Sequence, residues 1–230
     1  MKISSDSLAD QAYRDIEELI LTAELAPGTW IAETAIAERV GLGRTPVREA
    51  IQRLAYHGLV EIVPGRSLRI AEIDLREQLL IIELRRDIEL FLIRRAVRFA
   101  TPAERTDLAA LVAAMRECLS RRDSAEFFPL DLDLQLLLLR CAKHRFIDNA
   151  IKPLWSASRR FSRIYNTSDH VAVFGGMLVR LMSAIIDANE TEALRSTVER
   201  MDYLDRFARS TLETSGASFP KIGKRATASR

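Results

Sequence analysis

The stretch from Ala32 to Leu59, AETAIAERVGLGRTPVREAIQRLAYHGL, constrains this chain more than any other. A short helical pattern from Glu33 to Val40 stops at Gly41-Leu42-Gly43, and a second begins at once behind Arg44-Thr45-Pro46. The spacing predicts a helix, a tight turn and another helix. Thr45 is expected to cap the second helix by accepting from the free N–H groups of its first turn. Pro46, which has no N–H to leave unpaired, suits the first helical position. Val47, Ile51 and Leu54 recur at i, i+4 and i+7 as a stripe for burial, which leaves Arg44, Thr45, Arg48 and Gln52 facing outward.

A helix presented in this way fits the major groove of DNA, where guanidinium groups pair with guanine or reach phosphates. The free N–H groups of its first turn add a phosphate site. Behind it, Leu59 to Val63 and Leu68 to Ile73 read as two short apolar strands joined by Pro64-Gly65-Arg66-Ser67, a wing with a basic tip. From Arg39 to Arg69 the acids are Glu49 and Glu61, against Arg39, Arg44, Arg48, Arg53, Arg66 and Arg69. Over all 230 residues the formal net charge is only +2, and the first helix is acidic at Asp6, Asp10, Asp15, Glu17 and Glu18. Nucleic acid is therefore suggested by where the arginines sit and not by bulk charge.

The rest of the chain reads as helices. Ser4 to Ala23 is amphipathic through Leu8, Ala12, Ile16, Leu19 and Ile20, and should pack beneath the reading helix. After the wing a long helix is expected from Leu75 to Ala100, apolar on more than one face, hence buried centrally or at a dimer contact. Thr101-Pro102-Ala103-Glu104 opens the next, to about Arg121. Another starts at Asp123 or Ser124, and its Leu-Asp-Leu-Asp-Leu-Gln segment runs on as helix. Ile147 to Tyr165, Val171 to Ala188 and Glu192 to Leu212 follow. Gly175-Gly176 calls for a late helix start, a kink or a close helix contact. The tail from Gly216 to Arg230, basic and without acids, is expected to be disordered. This divides the chain into residues 1–73, 74–214 and 215–230.

The run from Pro27 to Ile70 resembles the winged helix-turn-helix of the GntR transcription regulators, in its Pro-Gly lead-in, its Arg-Thr-Pro-Val-Arg-Glu core and its Gly-Leu passage into the wing. Gly43 stands where these regulators usually carry Ser, which removes a hydroxyl and keeps the backbone donor. The resemblance implies DNA contacts from Thr34, Gly43, Arg44, Thr45, Arg48, Gly65 and Arg66. The helical remainder is similar to the FCD domain of the fatty-acid-regulator branch. Glu83 to Glu89 matches its opening signature, Asp131-Leu132-Asp133-Leu134-Gln135 stands in place of its Asp-x-x-Phe-His, and Ala184-Ile185 with Ala193 aligns its last helices. Many members of that branch hold a divalent metal with one Asp and three His. Here Asp131 remains, while Gln135, Leu178 and Arg200 take the histidine places, so no metal is expected, even if a shifted alignment returned His170.

Two readings of Arg200 stay open: an ion pair with a buried Asp131, or, with Arg85, Asp131 and Gln135 around it, reception of the acid group of an organic effector. Several other features have a plainer reading. Arg159, Arg160 and Arg163 are expected on a solvated face, with the alternative that one of them enters the ligand pocket, Trp155 and Leu136 to Leu139 in the core, and His57 at a helix end as a capping or surface residue. Cys118 and Cys141 lack metal-ligand spacing, and uncharged apolar runs such as Val171 to Val179 fall well short of a span of roughly 20 residues. A mainly α chain follows, with a winged helix-turn-helix and an all-helical bundle. The expected function is that of a cytoplasmic homodimeric repressor on an inverted-repeat operator. A bundle that only dimerises, or a helical enzyme, are the rivals, and no nucleophile with a base supports the second.

Overall fold

The computed structural model describes residues 7–63, 67–122, 124–165 and 167–214. In chain order its elements are α1 (Leu8–Leu21), β1 (Trp30–Ile31), α2 (Glu33–Val40), α3 (Arg44–Tyr56), β2 (Val60–Ile62), β3 (Leu68–Ile70), α4 (Leu75–Phe99), α5 (Pro102–Arg121), α6 (Ser124–Ala142), α7 (Arg145–Tyr165), α8 (Ser168–Ile186) and α9 (Glu190–Thr214).

The N-terminal head is built on one small core. Ser7 caps α1 in a reciprocal box with Asp10, and α1 lays Ala12, Ile16 and Ile20 against Ile36 of α2 and Val47, Ile51 and Leu54 of α3. Leu8 departs from the expected stripe and is exposed. Gly41, at φ 67°, closes α2, and the Leu42 N–H reaches back to Ala37 O at 3.2 Å. This Schellman-type turn uses up Gly41 and Leu42, so Gly43 already stands at the mouth of the next helix. Gly43, extended at φ −64° and ψ 159°, and not Thr45, is therefore the N-cap of α3, and no side chain caps it. Pro46 falls in the first turn, where its missing N–H still costs nothing. The strands are shorter than the pattern suggested. The sheet order is β1-β3-β2, antiparallel throughout, and the two-residue β1, invisible to periodicity, pairs Trp30 with Arg69 and Ile31 with Leu68.

Asp74 caps α4 directly behind the head. In the bundle, Leu92, Ile93, Ala96 and Val97 of α4 meet Leu108, Val112 and Met115 of α5 and Leu181, Met182 and Ile185 of α8. Thr101 and Glu104 form the capping box expected at the start of α5. Of the three alternatives for the double glycine the structure adopts the close contact. A Cβ built on Gly175 would lie 2.5 Å from Leu119 Cδ2, whereas one on Gly176 meets nothing. Leu137, Leu138 and Leu139 are buried as expected, but Leu136 is 47% exposed.

By length and composition alone α8 could cross a membrane, with mean hydropathy 1.5 over Asp169–Ile186, longer than the uncharged run suggested because Asp169 and Arg180 are tolerated in the window. It packs within the bundle beside α5 and α9. The expectations for Pro64, Gly65, Arg66, Asp123, the first residues of the chain and the basic tail lie outside the described residues.

Candidate functional site

Arg39 pairs with Glu24 at 2.7 Å, Arg53 with Asp10 at 2.7 Å while lying over the Tyr13 ring, and Arg69 with Glu72 at 2.8 Å. Arg44, Thr45, Arg48 and Gln52 are exposed on α3, as is Thr34 at the start of α2. Gly43, Arg44 and Thr45 carry N–H groups that a helix leaves unpaired in its first turn. The Arg48 side chain is 65% exposed and its Nε lies 3.0 Å from Glu33 Oε1, so the N-terminal ends of α2 and α3 meet at one ion pair. The sequence-predicted residues Thr34, Gly43, Arg44, Thr45 and Arg48 thus share one solvent-facing end of the head. Gly65 and Arg66 are outside the described residues.

The second predicted cluster lies inside the bundle. Arg85 of α4, Asp131 and Gln135 of α6 and Arg200 of α9 all line one cavity of about 40 Å³, together with Leu178. That volume has room for water or for a carboxylate-sized group. Of the two readings of Arg200, the ion pair with Asp131 is not formed. Arg200 is instead bonded to Glu89 of α4, whose carboxylate also receives Arg85 Nε at 2.8 Å and Trp155 Nε1 at 3.0 Å. Asp131 accepts from Gln135 Nε2 at 2.9 Å, one turn along its own helix.

The two carboxyls are tuned in opposite directions. Burial alone would raise Glu89, but the Arg200 and Arg85 guanidiniums and the Trp155 N–H overcome it and hold the acid at about 2. For Asp131 burial prevails over the attraction of Arg159, Arg200 and Arg85, and its pKa rises. His170, 5% exposed, stacks on Phe207 and meets the Tyr203 hydroxyl at 2.9 Å, and burial lowers its pKa to about 4.

This donor set does not suit a divalent metal. Arg85, Arg159 and Arg200 outnumber Glu89 and Asp131 around the cavity, and Leu178 cannot ligate. Among the described residues, no group of three or more His, Cys, Asp or Glu side chains is placed to hold a metal ion. The excess of positive charge favours an anion. Arg159 Nε and Arg200 Nε are moreover buried without a hydrogen-bond partner.

Arg159 overturns the expectation of a solvated face. It is 9% exposed and Arg160 3%, because the head covers this side of α7. Arg159 Nη1 donates to Gln135 Oε1 at 2.9 Å, and its Nη2 to Glu17 Oε1 of α1 at 3.0 Å. Ser156 and Tyr13 donate to the same carboxylate, Arg160 bonds Ala71 O, and Arg163 reaches Glu18 at 2.6 Å. Glu17 and Glu18, which make the first helix acidic, are thus counter-charges for the bundle. Sequence reasoning did not single out Glu89, Glu17 as a partner, or Arg159 as the one of the three arginines that joins the cavity lining. A signal existed for each: Glu89 continues the Ile82–Arg85 face, Glu17 sits beside Ile16 and Ile20, and Arg159 follows Ile151 and Trp155 at steps of four.

Family comparison matches these two regions to two separate models. Residues 8–70 match the model of the bacterial regulatory proteins of the gntR family, and residues 80–203 match the FCD domain. The chain is 30% identical over 162 residues to the HTH-type transcriptional repressor RspR of Escherichia coli K12, covering 70% of each protein. To the HTH-type transcriptional regulator McbR of the same organism it is 24% identical over 154 residues, covering 67% of this chain and 70% of that one. Among solved structures the fold is similar to E. coli McbR/YncC, with a TM-score of 0.76 at 19% identity over 90% of this chain and 99% of that one. A putative GntR regulator from Rhodococcus sp. RHA1 gives 0.69 at 16% identity over 89% and 99%. The chain belongs to the GntR family of transcription regulators, with an FCD domain behind its helix-turn-helix, and is not an enzyme.

Proposed function

We propose that the chain is a cytoplasmic, ligand-responsive repressor that acts as a homodimer on an inverted-repeat operator. The observation that carries the DNA reading is the exposed N-terminal end of α3. Arg44, Thr45 and Arg48 stand exposed beside unpaired backbone N–H groups there, and Arg48 is held only by its exposed ion pair with Glu33. Residues 1–73 form the reading unit in this proposal. Thr34, Gly43, Arg44, Thr45 and Arg48 make the groove and phosphate contacts, and Gly65 and Arg66 reach the backbone from the wing. Residues 74–214 dimerise and sense. Support for a dimer comes from α4, where Leu80, Leu84 and Phe91 recur on one face and remain exposed in the single chain.

The effector in this reading is a small organic acid held by Arg85, Asp131, Gln135 and Arg200. Its carboxylate takes the place of Glu89 on Arg200, and an effector larger than the cavity widens it by parting that pair. Such a ligand acts on DNA only if it binds the two head arrangements unequally. One observation favours a second reading, a bundle that dimerises and senses nothing: Glu89 already neutralises Arg200, and the cavity is small.

One experiment separates them. Anisotropy of labelled operator DNA is followed while a panel of small carboxylic acids and acyl thioesters is added to wild type and to Arg200→Lys. Lysine keeps a cation opposite Glu89 but loses the planar fork. The sensing reading expects an acid that releases wild type from DNA and leaves Arg200→Lys bound, with equal DNA affinity in the absence of acid. An equal response of both proteins removes Arg200 from the effector site. No response from either protein supports the dimerising reading.

A further inference from the structure

A larger opening lies outside the bundle cavity. Between α1 and α3 of the head and α6 and α7 of the bundle runs a cleft of about 360 Å³, within the range of small-molecule sites, against about 40 Å³ for the internal cavity. One wall is apolar. Leu132, Leu136 and Leu139 stand one turn apart on α6, and Leu136 keeps 47% of its surface exposed although the neighbouring leucines are buried. Trp155 continues this wall, and the rings of Tyr13 and His57 face it from the head.

The polar lining is basic. Arg14, Arg53, Lys152 and Arg159 outnumber Asp10 and Glu17, and both acids already have arginine partners, at 2.7 and 3.0 Å. His57 adds no charge near neutrality, because burial lowers its pKa. Lys152 is 43% exposed at the rim, and its bond to Asp148, one turn away on α7, runs between exposed groups that exchange readily with a ligand. A cation would find its acids taken. An anion with an apolar body would find Lys152 for its charge and the leucines and Trp155 for its body.

We propose that this cleft between head and bundle is a binding site for a small amphipathic anion, an aromatic carboxylate in chemical class, distinct from the cavity around Glu89. The ligand would touch both units at once. One side of the site carries Arg53 and His57 from the C-terminal end of the reading helix, and the other carries Arg159, which also contacts Gln135 at the internal cavity. Occupancy would therefore bear on the setting of α3 relative to the bundle without passing through the bundle core. Binding to the cleft does not depend on the identity of the operator or on the sensing role of Arg200.

The test uses the full chain and the fluorescent aromatic anion anilinonaphthalene sulfonate, followed by displacement with phenylacetate. The expected result is saturable binding that phenylacetate displaces, and that Leu136→Asp and Lys152→Glu each weaken by roughly tenfold or more. Leu136 is exposed and Lys152 is half-buried at the rim with its side chain 43% exposed, so their variants keep the fold, which circular dichroism checks. Ser162→Leu, at the internal cavity, should leave binding unchanged. Loss of binding in Ser162→Leu with retention in both cleft variants would overturn the proposal. So would the absence of displaceable binding to wild type.

Discussion

Replacing Arg44 and Arg48 together by alanine is expected to abolish specific operator binding while leaving the fold intact. Both side chains are exposed and neither contributes to the head's core, which is formed by Val47, Ile51 and Leu54 beneath them. A bidentate contact to a base contributes about 1–3 kcal/mol, so losing two such contacts weakens binding by at least about thirtyfold. An anisotropy titration at two salt concentrations also tells how the contacts are made. If both guanidiniums neutralise phosphates, the slope of log affinity against log salt becomes shallower by roughly 2, and if they read bases, the slope changes less than the affinity does. Glu33→Gln should act in the opposite direction, because Glu33 holds Arg48 Nε at 3.0 Å and must release it to the DNA. That gain is small, since an exposed ion pair of this kind contributes about 0–1 kcal/mol. Near-native affinity in the double variant would mean that α3 is not the reading helix.

Glu89→Ala is expected to be the most damaging substitution in the bundle. The side chain is 2% exposed, and its removal leaves the buried guanidiniums of Arg85 and Arg200 without their carboxylate and Trp155 Nε1 without its acceptor. Breaking a buried pair by deleting one member costs about 3–5 kcal/mol, and in a chain of this size each kcal/mol lowers Tm by about 2–4 °C. A fall in Tm of roughly 10 °C in a thermal melt is the expected outcome, and a change of less than about 2 °C would contradict the account. The same group predicts a pH dependence. Its folded pKa of about 2 lies below the unfolded value of 4.5, so its contribution is complete above the unfolded value and is lost as pH falls through the interval towards 2. Urea unfolding of wild type should weaken across that interval, and the Glu89→Ala variant should lack this part of the slope. Asp131, raised by burial, works with the opposite sign in the acid range, which is why the difference between the two proteins is the quantity to read.

The capping boxes and turns explain how much of this could be read in the chain. Thr101 and Glu104 carry a local signal that three-dimensional context had no reason to override, and α5 begins where they place it. Glu33–Val40 likewise ends at the left-handed Gly41. Thr45 was misleading for the same local reason. Its hydroxyl can accept from first-turn N–H groups, which glycine cannot do with a side chain, but the preceding turn had already delivered Gly43 to the helix mouth. What stayed hidden was chosen by tertiary partners. Nothing in the run Arg159-Arg160 distinguishes a solvated basic face from one covered by another unit, and only Glu17 and Ala71, far away in sequence, make the difference. The same holds for Arg200. Its convergence with Arg85, Asp131 and Gln135 on one cavity was legible through family resemblance, whereas its choice of Glu89 over Asp131 depends on the crossing of α9 over α4.

The central claim is that two copies of this head read two half-sites through α3. The most direct measurement is a selection of binding sequences from random duplex DNA with the full-length protein, followed by footprinting of the enriched site. The account predicts a short inverted repeat whose half-sites lie about one helical turn apart, protected by two subunits per duplex and not recovered with the Arg44→Ala, Arg48→Ala protein. Enrichment of a single half-site bound by one subunit, or of no sequence above the random pool, would contradict it.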